Sequence, residues 1–175
     1  MKKTIMVLLV LGLVISIGIK AVYRLFPMEY GEIIEKYSQE YGLSKHLVSG
    51  VIYAESGFNN KAHSGLARGL MQLTDETADW VAEKMAIEYE YDMAEEPEIN
   101  IKMGCYYLSY LIEKYQNTET ALAAYNGGMG NVSKWLADER YSLDGHTLSK
   151  IPYEETARYV KRVKVFTYIY GKLYH

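Results

Sequence analysis

The chain has 175 residues, 49% of them hydrophobic and 23% charged, which is enough for one globular core and an appendage. A formal net charge of −3 argues against a nucleic-acid-binding protein, whose contact face would be basic. Cys105 is the only cysteine, which excludes an intramolecular disulfide and a cysteine-based zinc site, and His46, His63, His146 and His175 show no metal-ligand spacing.

The chain opens on an uncharged apolar run, Ile5 to Ile19, with Lys2 and Lys3 before it and Lys20 and Arg24 after it. The run is near the lower limit for a bilayer span. It becomes comfortable if Lys20 snorkels and the helix continues to Phe26. A secretory signal would begin the same way, but no small-residue cleavage site follows, and no cysteine is available for a lipid anchor. Residues 1–28 therefore read as an uncleaved membrane anchor, with secretion through a cleaved signal as the alternative. The flanking charges, two against two, leave the orientation open.

From Glu29 the pattern is an amphipathic helix with Ile33, Ile34, Tyr37 and Tyr41 on one side and Gly42 at its end. Ser44 is placed as an N-cap for a second helix, whose Leu47, Val48, Val51, Ile52 and Ala54 recur at helical period. That buried helix closes on Glu55, followed by Ser56-Gly57. A carboxylate at the end of an apolar helix that opens onto a loop is partly desolvated. Desolvation disfavours its charged form, so it holds a proton near neutral pH and can serve as a general acid. Taken alone, it reads as an ordinary helix-terminal glutamate.

Gly65 and Gly69 then permit close backbone approach, Leu70-Met71-Gln72 follow, and a helix starts near Thr74 and runs through Trp80 to Tyr91. Trp80 reads as core more readily than as a platform for a sugar. The acidic run Asp92–Glu98 reads as a solvated loop and helix start. Ile101, Cys105, Leu108, Leu111 and Ile112 mark one face of the next helix. Ala121 to Tyr125 is a small apolar helix that breaks at Asn126-Gly127-Gly128, and Asp138–Lys150 is a polar loop. The last helix begins after Pro152, with helical period through Val160, Val163, Phe166, Thr167, Ile169 and Tyr170. The 18 tyrosines suit a groove that binds sugars in water, or equally a tyrosine-rich core.

Three strings occur in order: Ala54-Glu55-Ser56-Gly57-Phe58-Asn59 with Ala67-Arg68-Gly69-Leu70-Met71-Gln72-Leu73-Thr74, then Ala121-Leu122-Ala123-Ala124-Tyr125-Asn126, then Ile151-Pro152-Tyr153 with Glu155-Thr156 and Tyr159-Val160. Tyr41-Gly42-Leu43 precedes them, and Pro97, Asn100, Ile101 and Gly104 fall between them at matching places. Together, over about Glu29 to Tyr170, they resemble the catalytic domain of the lysozyme-like lytic transglycosylases of the soluble-Slt type, a glycoside hydrolase family 23-like group. The resemblance implies a mainly α, lysozyme-like single catalytic domain over residues 29–175, preceded by the N-terminal hydrophobic helix. It implies the glycan strands of bacterial peptidoglycan as substrate, with Glu55 catalytic and Ser64, Gln72, Tyr125, Asn126 and Glu155 binding substrate. Tyr125 would face the glutamate and hydrogen-bond its carboxyl or the reacting oxygen, and Glu155 would contact an N-acetyl group. The chain departs from the pattern at Asn60, where proline is common, and in a loop one residue shorter between Ala62 and Ala67. Ser64 is therefore open between a turn residue and a sugar contact.

The reaction implied by this resemblance needs no metal and no cofactor. Glu55 protonates the oxygen between N-acetylmuramic acid and N-acetylglucosamine, then as a base takes the proton of the muramoyl C6 hydroxyl as that oxygen attacks C1. The product is a 1,6-anhydromuramoyl end. Alternatives are a hydrolytic muramidase, with Asp75 or Asp92 activating water, and an inactive peptidoglycan-binding module. Because the substrate lies outside the cell, the anchor would place the catalytic domain on the outer side of the cytoplasmic membrane.

Overall fold

A computed structural model describes residues 2–174, and its interior is built on two antiparallel helices, α3 (Lys45–Glu55) and α8 (Glu154–Leu173). Their approach is close because α3 carries Gly50 at the crossing. A Cβ there would lie 2.7 Å from the Thr167 hydroxyl oxygen and 2.9 Å from its backbone nitrogen. Val48, Val51 and Ile52 of α3 are fully buried, as are Val163 and Tyr170 of α8, so burial of these apolar faces stabilises the pair.

The other helices surround this pair. α2 (Gly31–Glu40) packs on α3 and α5, and α5 (Pro97–Tyr115) packs on α6 (Thr118–Gly127), which in turn meets α7 (Met129–Leu136) and α8. Pro97 opens α5 at a position where the missing N–H costs nothing. α4 (Asp75–Met85) is capped by Thr74, whose hydroxyl accepts the Thr77 N–H at 3.2 Å, with Asp75 and Glu76 in its first turn. Gly128, at φ 81°, ends α6 and turns the chain into α7. The mainly α, lysozyme-like class expected from the sequence is the one observed.

Two local expectations are corrected, and a third holds in position only. The helix begun at Thr74 stops at Met85, where Ala86 takes a left-handed conformation (φ 52°), and does not reach Tyr91. The acidic run contains a short 3-10 turn over Tyr91–Glu95 before α5 begins. Ser44 stands at the N-cap of α3, but its side chain makes no capping hydrogen bond. The loop after Glu55 holds a small antiparallel sheet of strands β1 (His63–Ser64), β2 (Ala67–Arg68) and β3 (Leu73–Thr74), in that order. Two-residue strands are too short to leave an alternating sequence pattern.

α1 (Lys2–Leu25) projects from the domain, with the side chains of its apolar run exposed. Its 23 residues from Lys3 to Leu25 are long and apolar enough to cross a membrane by length and composition.

Candidate active site

Glu55 is the last residue of α3 and faces α8 across the end of the helix pair. Its side chain keeps a partial opening to solvent while protein packs closely around it. This burial dominates its titration and lifts the carboxyl to about 7. The Tyr159 hydroxyl and the Arg162 guanidinium, one turn apart on α8, favour the carboxylate and limit the rise. Tyr159 is 1% exposed, and its hydroxyl closes no hydrogen bond among the described residues, so it acts on Glu55 as a nearby donor without a settled partner. Asp75 is paired with Arg68 at 3.4 Å and Asp92 lies exposed in the 3-10 turn; neither bears on the charge of Glu55.

Sequence reasoning missed Tyr159. It stands in the third string, one helical turn after Glu155, so its place on the same face was available from the spacing. What the sequence could not show was that α8 brings that face onto the end of α3.

Tyr125 lies at the base of the same region, with its ring 5.4 Å from that of Tyr107. The expectation that it hydrogen-bonds Glu55 is corrected: its hydroxyl donates to the Met71 carbonyl at 2.7 Å. Burial, together with the Glu55 charge, raises the pKa of both Tyr125 and Tyr159 well above the usual range, so both remain protonated. Met71 is held from its other side too, because its N–H donates to Asn100 Oδ1 at 2.7 Å. Asn100 Nδ2 also donates to the carbonyls of Ala94 (2.9 Å) and Arg68 (3.2 Å). Gly69 is what admits this asparagine: at φ 76°, a Cβ would lie 2.3 Å from Asn100 Nδ2 and 2.2 Å from the Ala94 oxygen. A conformationally odd segment is thereby fixed by side chains from α5 and α6.

Gln72 is only 9% exposed, and its backbone is left-handed (φ 47°). Its amide nitrogen donates to the carbonyls of Ala62 and Gly69, each at 2.9 Å, and its amide oxygen accepts from the Ser64 hydroxyl at 2.8 Å. Both donors of Gln72 are therefore used within the protein. Ser64, exposed on β1, is joined to Gln72, and no hydrogen bond links it to Glu55 among the described residues.

Asn126 and Glu155, far apart in sequence, line one hollow with Pro152, Tyr153 and Thr156. Both are exposed there. Glu155 lies in the first turn of α8, where an acid also suits the helix dipole. A second hollow, on the other side of Gly127-Gly128, is lined by Thr77, Trp80, Tyr107 and Met129. Trp80 is part-buried, with its ring edge-on to Tyr110 at 4.9 Å. Among the described residues, no three His, Cys, Asp or Glu side chains converge in the way a metal ion requires.

A single desolvated acid at the end of a buried helix, on a lysozyme-like helical frame, defines the class. The transglycosylase SLT domain model matches residues 32–147, about two thirds of the chain, and the chain belongs to that family. Glu55, Ser64, Gln72, Tyr125 and Asn126 fall inside the matched range, and Glu155 falls beyond it. The soluble lytic murein transglycosylase of Salmonella typhimurium is 32% identical over 150 residues, covering 83% of this chain and 23% of that relative. Membrane-bound lytic murein transglycosylase C of Serratia proteamaculans is 33% identical over 128 residues, covering 64% of this chain and 35% of that relative. Among solved structures, an inactive mutant of the lytic transglycosylase Slt from Pseudomonas aeruginosa matches with a TM-score of 0.74 and 32% identity, over 84% of this chain and 24% of that one. The chain thus spans about a quarter of the length of the soluble relatives it matches.

Proposed function

We propose that the chain is a peptidoglycan lytic transglycosylase that cleaves the bond between N-acetylmuramic acid and N-acetylglucosamine without water. The observation that carries this reading is the Glu55 carboxyl, raised to about 7 where α3 ends. At neutral pH a substantial fraction holds a proton for the glycosidic oxygen, and after the bond breaks the same group accepts one. Most glycosidases need a second carboxylate to activate water or to attack the sugar. Asp75 is engaged by Arg68 and Asp92 stands exposed in the 3-10 turn, so neither is arranged as that second group, which fits an intramolecular nucleophile. The muramoyl C6 hydroxyl attacks its own C1 and gives its proton to Glu55, so a 1,6-anhydromuramoyl end forms and the leaving hydroxyl keeps the proton Glu55 first supplied. Tethering the nucleophile to the reacting sugar supplies effective molarity.

In this reading Asn126 and Glu155 contact the sugars from one hollow. Tyr125 shapes the floor by holding Met71. Ser64 and Gln72 bind substrate as a joined pair, with the Ser64 oxygen the outward-facing member. The catalytic domain spans residues 29–175, and residues 1–28 anchor it to the cytoplasmic membrane with the domain on the wall side. The test is Glu55→Gln on purified cell walls, which should stop release of anhydromuropeptides while circular dichroism stays unchanged. Full release by that variant would sink the assignment.

A further inference from the structure

The last turn of α1 and the residues after it are joined to the two helices that form the site. Three consecutive backbone carbonyls at this exit each accept a hydrogen bond from a tyrosine hydroxyl. Tyr53 of α3 donates to Leu25 at 2.7 Å, Tyr174 to Phe26 at 2.7 Å, and Tyr170 of α8 to Pro27 at 2.8 Å. Tyr23, still within α1, donates to the Leu173 carbonyl at 3.2 Å, and its ring meets that of Tyr174 edge-on at 5.5 Å. All three phenylalanines of the chain join this cluster. Phe26 lies against Tyr53, Phe166 and Tyr170, and Phe58 lies against Tyr53 and Tyr170. The Ser49 hydroxyl contacts Met28 Sδ at 3.2 Å.

A flexible tether would leave these carbonyls to water. Here each is satisfied by the folded domain, and Phe26 is part of the domain's packing. Aromatic rings with polar tips, and Lys20, Arg24 and Lys172 exposed around them, also suit the headgroup level of a bilayer. α8 sets an upper bound on the distance between the site and the exit. Tyr159 stands beside Glu55 and Tyr170 at the exit; they are separated by eleven residues of one helix, about 16 Å of rise. α3 ties the same two places together, because Tyr53 lies two residues before Glu55.

We propose that α1 and the catalytic domain form one rigid unit that holds Glu55 within a few nanometres of the membrane surface, so that the substrate is glycan polymer tethered in that same membrane, not wall beyond this reach. The proposal rests on the reading of α1 as an anchor and of the domain as a glycan-cleaving enzyme.

The test uses the full chain in nanodiscs and proteoliposomes. Spin labels at Arg24→Cys and Lys150→Cys report the junction, since the native Cys105 is buried. A narrow distance distribution is expected, broadened by the triple variant Y53F/Y170F/Y174F. A broad distribution in the otherwise unaltered chain overturns the proposal whatever the activity. Cleavage is then compared on lipid-linked glycan in the same vesicle, on added cell walls and on soluble glycan. Tethered glycan should be cut faster than added walls by about tenfold, and a flexible insertion of about 20 residues between Phe26 and Pro27 should erase that preference while leaving soluble glycan cut as before. An unchanged preference after the insertion overturns the fixed reach. A narrow distribution with uncut soluble glycan would overturn the enzymatic reading, and with it the substrate assigned here.

Discussion

The α1 exit and the surroundings of Glu55, both built on α3 and α8, are made to opposite standards. At the exit of α1 every tyrosine hydroxyl named above has a carbonyl to meet, and the rings pack edge to face. Around Glu55 a carboxyl is held out of water against its preference, and the neighbouring Tyr159 hydroxyl has no closed hydrogen bond. A satisfied polar group stabilises modestly, and an unsatisfied buried one costs more than that. The surroundings of Glu55 destabilise its charge, and the well-packed contacts at the α1 exit offset part of that cost.

Glu55→Gln should give the largest effect, a loss of wall cleavage of at least about a hundredfold, within the range of general acid–base contributions. The same variant tests the surroundings of Glu55 directly. Between pH 4.5 and 7 the folded Glu55 keeps a proton that the unfolded chain releases, so its contribution to stability is complete below 4.5 and lost as pH rises through 7. The melting temperature of the parent should therefore fall over that window by more than that of the glutamine variant, by at most about 3 kcal/mol in stability. Parallel curves would show that the carboxyl is not desolvated.

Gly69→Ala ranks next. It forces a side chain into left-handed backbone and onto Asn100, and chemical denaturation should register about 3 kcal/mol or more. Tyr125→Phe strips the Met71 carbonyl of its donor and should cost about 1–2 kcal/mol. If Tyr125 instead served Glu55, its removal would shift the pH profile and spare stability.

The smallest effects sharpen the comparison most. Tyr170→Phe and Tyr159→Phe remove the same atom from the two ends of α8. The first should lose about 1 kcal/mol, because the Pro27 carbonyl loses its partner. The second should be neutral or gain up to about 1 kcal/mol, because its hydroxyl has none. Tyr159 lowers the Glu55 value, so its replacement should also move the alkaline limb of the pH–rate profile to higher pH. Equal losses at both positions would remove the contrast.

Much of this was legible in the chain. The helical period of Leu47–Ala54 placed Glu55 at the end of a buried helix, and Asn126-Gly127-Gly128 marked the turn that ends α6. What escaped was long-range pairing. Tyr125 was expected on Glu55, and nothing local to it announces that the Met71 carbonyl, 54 residues away, takes its hydroxyl. The ties of Gln72 to Ala62, Gly69 and Ser64 were equally hidden, because they meet only once the small sheet forms. The tyrosine excess had two readings, groove or core, and the clearest grouping among the described residues gathers at the α1 junction, which neither reading contained.

The central claim is that one desolvated acid cuts the glycan with the substrate's own hydroxyl as nucleophile. Mass spectrometry of the products released from intact peptidoglycan tests it most directly. The account predicts 1,6-anhydromuramoyl ends that disappear in Glu55→Gln; reducing ends, heavier by one water, would contradict it.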